Sequence, residues 1–184
     1  MYQEIIMAGV GGQGVMVIGN LLAQAAFLEN LQVTYLPLYG VEKRGGHAEC
    51  TVVISEEEIR SPIVWTPQSA IIMSKSALRK FEKRIKPEGL LILNSCLIDP
   101  QEVARADLEI LAVPALEIAQ NLGQERLANM VLIGAFVEKT KVVSTENLLA
   151  ALPLIFEERY RSFLPLNETA IRQGAEFAKN YLRE

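Results

Sequence analysis

Ile5-Ile6-Met7-Ala8-Gly9-Val10-Gly11-Gly12-Gln13-Gly14 is the stretch on which the reading of this 184-residue chain turns. Ile5 to Ala8 is a short apolar run that ends in glycines, the pattern of a buried strand. From Gln13 to Glu29, apolar residues recur at Val17, Leu21, Leu22, Ala25 and Leu28, the spacing of one helix face. Gly9 to Gly14 therefore matches GxGxxG between a strand and a helix, the context that a dinucleotide-binding turn requires. One part of that fingerprint is missing. A ribose-binding acid is expected about 20 residues on, at the end of the second strand. Here that strand ends at Leu36-Pro37-Leu38, and Glu29 lies before it. Three readings stay open: an NAD(P) site, a phosphate- or carboxylate-binding helix start, and glycines that only let a helix cross close to a strand.

Outward from this turn, strands and helices alternate. Val33–Leu36 reads as a second strand closed by Pro37. His47–Ser55 suits a third, rich in β-branched residues. Ile59–Trp65 reads as a short antiparallel return weakened by Pro62. Ala70–Met73, Leu90–Leu93 and Leu108–Val113 read as further strands. Helices are expected over Ser76–Ile85, from Asp99-Pro100, from Pro114 to Leu122, and over the apolar Arg126–Lys139. Two more follow, capped by Ser144 or Thr145 and by Asn167. The expected fold is a single α/β domain over residues 1–184. It has three αβα layers, a mainly parallel sheet, a Rossmann-like first βαβ unit and a helical C-terminal segment.

Composition narrows the function. A chain of this length buries roughly 70% of its unfolded surface, so it needs no disulfide or metal to fold. The net charge is −4 and no basic patch stands out, which argues against nucleic acid as a partner. No apolar stretch reaches membrane-span length, and Met1-Tyr2-Gln3-Glu4 lacks a basic leader. A cytoplasmic protein is expected. Its two cysteines, Cys50 and Cys96, do not form the spaced runs that hold iron–sulfur clusters. Cys50 lies in strand-like alternation and reads as a buried, inert thiol.

A second loop is the more distinctive. Tyr39-Gly40-Val41-Glu42-Lys43-Arg44-Gly45-Gly46-His47 places three glycines and three charges between two strands. At the carboxyl end of a parallel sheet it faces the first glycine loop, where α/β proteins bind ligands. Arg44 suits a bidentate grip on a carboxylate or phosphate, with Glu42 orienting it. An exposed turn with an incidental ion pair is the plainer reading. His47, the only histidine, has no nucleophile visibly paired with it, and a hydrogen-bonded structural or interface role is expected. No catalytic residue is assigned.

The two loops together resemble the gamma subunit, or gamma domain, of 2-oxoacid:ferredoxin oxidoreductases. That family's second loop reads Ser-Tyr-Gly-Pro-Glu-x-Arg-Gly-Gly. Leu38 and Val41 stand in for the serine and proline, while Glu42, Arg44 and the glycines are kept. Val113-Pro114-Ala115, Glu117-Ile118-Ala119, Gly123, Asn129-Met130, Leu132 and Gly134-Ala135 extend the likeness, which covers residues 1 to about 155. The resemblance implies an accessory unit that is inactive alone. Its complex would decarboxylate a 2-oxoacid on thiamine diphosphate with Mg, transfer the acyl group to coenzyme A and reduce ferredoxin. Alpha and beta subunits, and a ferredoxin-like delta subunit, would carry the thiamine diphosphate and the iron–sulfur clusters. Gly9, Gly11, Gly12, Gln13, Gly14, Tyr39, Gly40, Glu42, Arg44, Gly45, Gly46, His47 and Asn129 would face the partner subunits or coenzyme A. The small subunit of an indolepyruvate oxidoreductase shares these loops and stays open as an alternative.

Overall fold

Period-two alternation along the strands decides which side chains meet which helices. In the computed structural model, which describes residues 1–39 and 46–181, Ile5 and Met7 of β1 (Tyr2–Val10) point to one core and Ile6 and Ala8 to the other. The same division continues through β4 (Ser69–Ile72), β5 (Leu90–Asn94) and β6 (Glu109–Val113). These strands are buried on both faces, as parallel strands under helices must be. The larger core takes α1 (Val15–Leu28), α3 (Ala115–Asn121), α4 (Ala128–Thr140), α5 (Thr145–Ile155) and α6 (Leu164–Tyr181). The smaller is closed by α2 (Lys75–Phe81) with Ile85 and Ile98. The three layers are thus uneven.

The six strands run in the order β2-β3-β1-β4-β5-β6, with β2 (Gln32–Tyr39) and β3 (His47–Ser55). β1, β4, β5 and β6 pair in parallel. β3 is antiparallel to both β1 and β2. This corrects the expected Rossmann-like first unit: β1 and β2 run the same way but do not touch, because β3 lies between them. The reason is local. Consecutive strands joined by a short loop pair antiparallel at low entropic cost. β3, fully buried from Cys50 to Ser55, then takes the inner position. β2 is left at the edge and runs on through Pro37, opposite Cys50, rather than closing there. An edge strand tolerates the missing N–H.

Other boundaries shift for similar reasons. The stretch from Ile59 to Trp65 forms no strand. Asp99 caps only a 3-10 turn, Pro100–Glu102, accepting from Gln101 N–H at 2.9 Å. Ser144, not Thr145, caps α5. Asn167 lies inside α6, not before it, and donates to the Phe163 carbonyl at 2.7 Å. The helix from Arg126 begins instead as a 3-10 turn, Glu125–Leu127, before α4.

α4 is buried from Ala128 to Val137, a helix apolar on all sides and therefore enclosed. It lies between the sheet and α6. The contact is so close that a Cβ on Gly134 would come 2.1 Å from the Ile171 carbonyl oxygen, and one on Gly174 1.9 Å from that of Val131. Backbone cannot swing aside as a side chain can. Gly134→Ala is expected to lose about 3 kcal/mol of unfolding free energy, measured by urea denaturation. Gly123, whose φ is +79° but which has open space around it, should lose only about 1 kcal/mol on the same change.

Glu29, just past α1, accepts from the Ser144 N–H at 2.6 Å and the Asn147 side-chain amide at 3.0 Å. Burial pushes its carboxyl up, but the bonds from Ser144 and Asn147 together outweigh that and hold it below its ordinary value near 4.5. A carboxylate held low stabilises the fold above that ordinary value, and the contribution is lost as pH falls through the lowered one. Glu29→Gln should therefore flatten the acid limb of stability against pH, as followed by thermal melts from pH 7 to pH 3.

Candidate functional site

The chain leaves β1 at Val10, turns through Gly11–Gly14 and enters α1 at Val15. Gly12 (φ +97°) and Gly14 (φ +76°) adopt the left-handed conformation that favours glycine. At Gly12 the backbone alone imposes this, since nothing lies within 4 Å of where a Cβ would be. At Gly14 space forbids it too, because a Cβ would sit 2.3 Å from Asn129 Nδ2. A Cβ on Gly9 would meet Gln13 Oε1 at 2.4 Å.

Gln13 pins the turn. Its Oε1 accepts from the Val10 N–H at 2.8 Å, and its Nε2 donates to the Met73 carbonyl at 2.9 Å. One side chain thus ties the ends of β1 and β4 together, for about 1 kcal/mol per bond. From the other side, Asn129 Nδ2 donates to the Gly14 carbonyl at 3.3 Å, and its Oδ1 accepts from the Met130 N–H at 2.9 Å. Among the described residues, the two loops meet where the Gly11 N–H donates to the Gly46 carbonyl at 2.9 Å.

These bonds revise the picture of a turn whose amides all face a ligand. The N–H groups of Gly11 and Gln13 are spent within the protein, the latter on the Val10 carbonyl at 3.2 Å. Those of Gly12 and Gly14 have no partner among the described residues. They lie at the start of α1, which has no side-chain cap. No side chain among the described residues caps the partial positive charge there.

Of the other expected site residues, Tyr39 ends β2 opposite Ala48. Gly40, Glu42, Arg44 and Gly45 lie outside the described residues. His47 opens β3 opposite Val10 and is exposed. Its ring has no hydrogen-bond partner among the described residues. Cys50 is fully buried, and burial, with the Glu49 charge beside it, pushes its thiol up to about 12. It is inert, as the strand alternation implies.

Two clefts flank Gly12. One of about 350 Å³ is largely apolar, lined by Val17, Phe156, Tyr160 and Phe163 beside Gly14. The other, about 210 Å³, is lined by Gln13, Met73, Asn94 and Asn129. Arg126 lines both. It is exposed and makes no ion pair or hydrogen bond among the described residues. Sequence reading placed Arg126 at a helix start and gave it no role. The available signal was its place three residues before Asn129, one helical turn away. Asn94 and the aromatic residues gave no signal, since only the fold brings them to this edge. The face offers an unpaired cation, free amides and an apolar cleft side by side, a combination suited to an anionic ligand with an apolar portion.

A profile of the family described as pyruvate ferredoxin/flavodoxin oxidoreductase matches residues 4–177. The 2-oxoglutarate synthase subunit KorC of Methanocaldococcus jannaschii is 32% identical over 185 residues, covering 97% of this chain and 95% of that one. The ketoisovalerate oxidoreductase subunit VorA of Methanothermobacter marburgensis is 32% identical over 180 residues, 97% of this chain. The match takes in only 37% of VorA, so this chain spans little more than a third of that relative's length. Among solved structures, the gamma subunit of a keto/oxoacid ferredoxin oxidoreductase from Geobacter sulfurreducens superposes with a TM-score of 0.83 at 28% identity, over 97% of this chain and 99% of that one. The 2-oxoglutarate:ferredoxin oxidoreductase of Magnetococcus marinus shares the fold, with a TM-score of 0.88 at 24% identity over 97% of this chain and 31% of that one. With the family profile spanning nearly its whole length, this chain belongs to the pyruvate ferredoxin/flavodoxin oxidoreductase family.

Proposed function

We propose that this chain is the gamma-type unit of a multi-subunit 2-oxoacid:ferredoxin oxidoreductase, a single cytoplasmic domain that is inactive alone. The observation that carries this reading is the pinned glycine turn at the carboxyl edge, held by Asn129 in a chain that matches a solitary gamma subunit from end to end. The assembled enzyme would decarboxylate a 2-oxoacid (2-oxoglutarate, pyruvate or a branched-chain acid), transfer the acyl group to coenzyme A and pass two electrons to ferredoxin. The Magnetococcus marinus enzyme was solved with 2-oxoglutarate, coenzyme A and succinyl-CoA bound.

In this reading thiamine diphosphate, Mg and the iron–sulfur clusters belong to alpha, beta and delta-type chains. The described residues here do not fit a cluster: Cys50 is buried with its thiol held neutral, and no group of three or more His, Cys, Asp or Glu is placed to hold a metal. This chain's share is positional. Gln13 and Asn129 hold the turn rigid, so that the Gly12 and Gly14 amides meet the ligand or the partner without reorganising, while Glu42 and Arg44 would supply charged contacts. No helix among the described residues is long and apolar enough to cross a membrane.

The assembly is testable directly. A tagged chain recovered from its native cells should bring thiamine- and iron–sulfur-binding chains with it, and the eluate should reduce viologen with a 2-oxoacid and coenzyme A. Recovery of the chain alone, without activity, would sink the reading. In the active complex, Arg44→Ala is expected to raise the Michaelis constant for coenzyme A about tenfold, the scale of one charge-assisted contact, or to weaken assembly. Unchanged assembly and unchanged coenzyme A kinetics would remove Arg44 from the site.

A further inference from the structure

We propose that Arg126 and Asn94 form an anion-holding pair beside Gly12, and that the smaller cleft they line takes a phosphate-class group. The proposal rests on the reading of this edge as a ligand-facing surface, and it assigns the charge on that surface to residues outside both glycine loops.

Three observations converge. The first is Asn94, at the carboxyl end of β5 and only 1% exposed. Its Oδ1 is committed, accepting from the Cys96 N–H at 3.3 Å and the Leu116 N–H at 3.4 Å. Those two bonds orient the amide, and its Nδ2 has no partner among the described residues. Nor is that nitrogen sealed off, since the buried side-chain atoms lacking a partner are the Thr34 and Thr51 hydroxyls. An oriented amide donor open to the cleft is free to donate to an anion in place of water, and Asn94 lines the cleft.

The second is Arg126, the unpaired cation at the same cleft. Among the described residues Lys75 pairs with Glu102 and Lys80 with Glu49, each at 2.5 Å, whereas Arg126 makes no ion pair, even with the neighbouring Glu125. Its planar fork matches phosphate geometry. The third is Gly12, whose amide has no partner among the described residues and whose missing side chain leaves the approach open.

Glu125 also lines this cleft and opposes an anion there. Its carboxylate accepts from Gln120 Nε2 at 2.8 Å, which turns one of its oxygens toward Gln120 but leaves its charge in place. Arg126 balances the Glu125 charge and the Gly12 and Asn94 N–H donors add to it, which makes Glu125 a brake whose removal should tighten binding.

The experiment uses the full chain and inorganic pyrophosphate, titrated by calorimetry at fixed ionic strength. Wild type should bind saturably. Arg126→Ala should weaken binding roughly tenfold or more, the scale of one charge-assisted hydrogen bond. Arg126→Lys should retain part of it, and Glu125→Gln should bind more tightly than wild type. Asn94→Asp keeps the Oδ1 acceptor for Cys96 and Leu116 but replaces the amide donor by a carboxylate oxygen. It should fold, as judged by circular dichroism, and lose the binding. Absence of saturable binding by wild type, or equal binding by Arg126→Ala, would overturn the proposal. The two readings fail separately. A chain that assembles into an active oxidoreductase yet ignores pyrophosphate leaves the subunit role standing without this pair. A chain that binds pyrophosphate through Arg126 but recruits no oxidoreductase partners keeps the pair and loses the subunit role.

Discussion

Two glycines let one helix lie against another, and the placement of the glycine turn depends on it. Gly134 and Gly174 bring the backbones of α4 and α6 into contact at Ile171 and Val131. With α6 on its outer side and the sheet on its inner side, α4 has no solvent face from Ala128 to Val137. An enclosed helix can neither roll nor slide without opening voids, and interiors packed to crystal density resist that. Its first turn is therefore held in place. That turn carries Asn129, which meets Gly14 from 115 residues away.

The glycine turn is clamped from both sides. Gln13 holds it to β1 and β4, and Asn129 holds it from α4. Clamping uses up polar groups, so fewer of the turn's amides face outward than its glycine count implies. Among the described residues, the donors left over at this edge are the uncapped start of α1 and Arg126. A dinucleotide site is built differently. There the second strand lies beside the first and delivers its acid to the ribose. Here β3 separates β1 from β2, which puts the end of β2 roughly 10 Å from β1. Glu29, the next acid in the sequence after the turn, accepts from Ser144 and Asn147 at the start of α5 and lies at the far end of α1, roughly 20 Å along the helix.

Much of the fold was legible in advance. β3 runs over His47–Ser55 as its β-branched alternation implies, and the short apolar runs at β4, β5 and β6 are strands within a residue or two of their expected bounds. Periodicity reports burial on one or both faces, and burial is what makes these elements. The errors lie where periodicity is silent. Pro37 stops a central strand but not an edge strand, and only strand order shows that β2 is an edge. Asn167 has a capping side chain, yet apolar packing of Leu164 and Leu166 carries the helix past it.

The candidate site divides along the same line. Residues at fixed short separations, Gly9, Gly12, Gln13 and Gly14, were visible because a strand-to-helix turn has local geometry that sequence encodes directly. The family likeness likewise rests on short strings read in order. Asn94 and Arg126 are ordinary residues in the sequence, a strand end and a helix start. They gain meaning only when parallel strands bring their carboxyl ends to one edge and the packing of α4 against α6 sets its first turn beside them. Local conformation and burial pattern are properties of neighbouring residues, so this sequence by itself determined the elements and the turn. Which side chains share a cleft depends on contacts between segments up to 115 residues apart, and that only the tertiary structure decided.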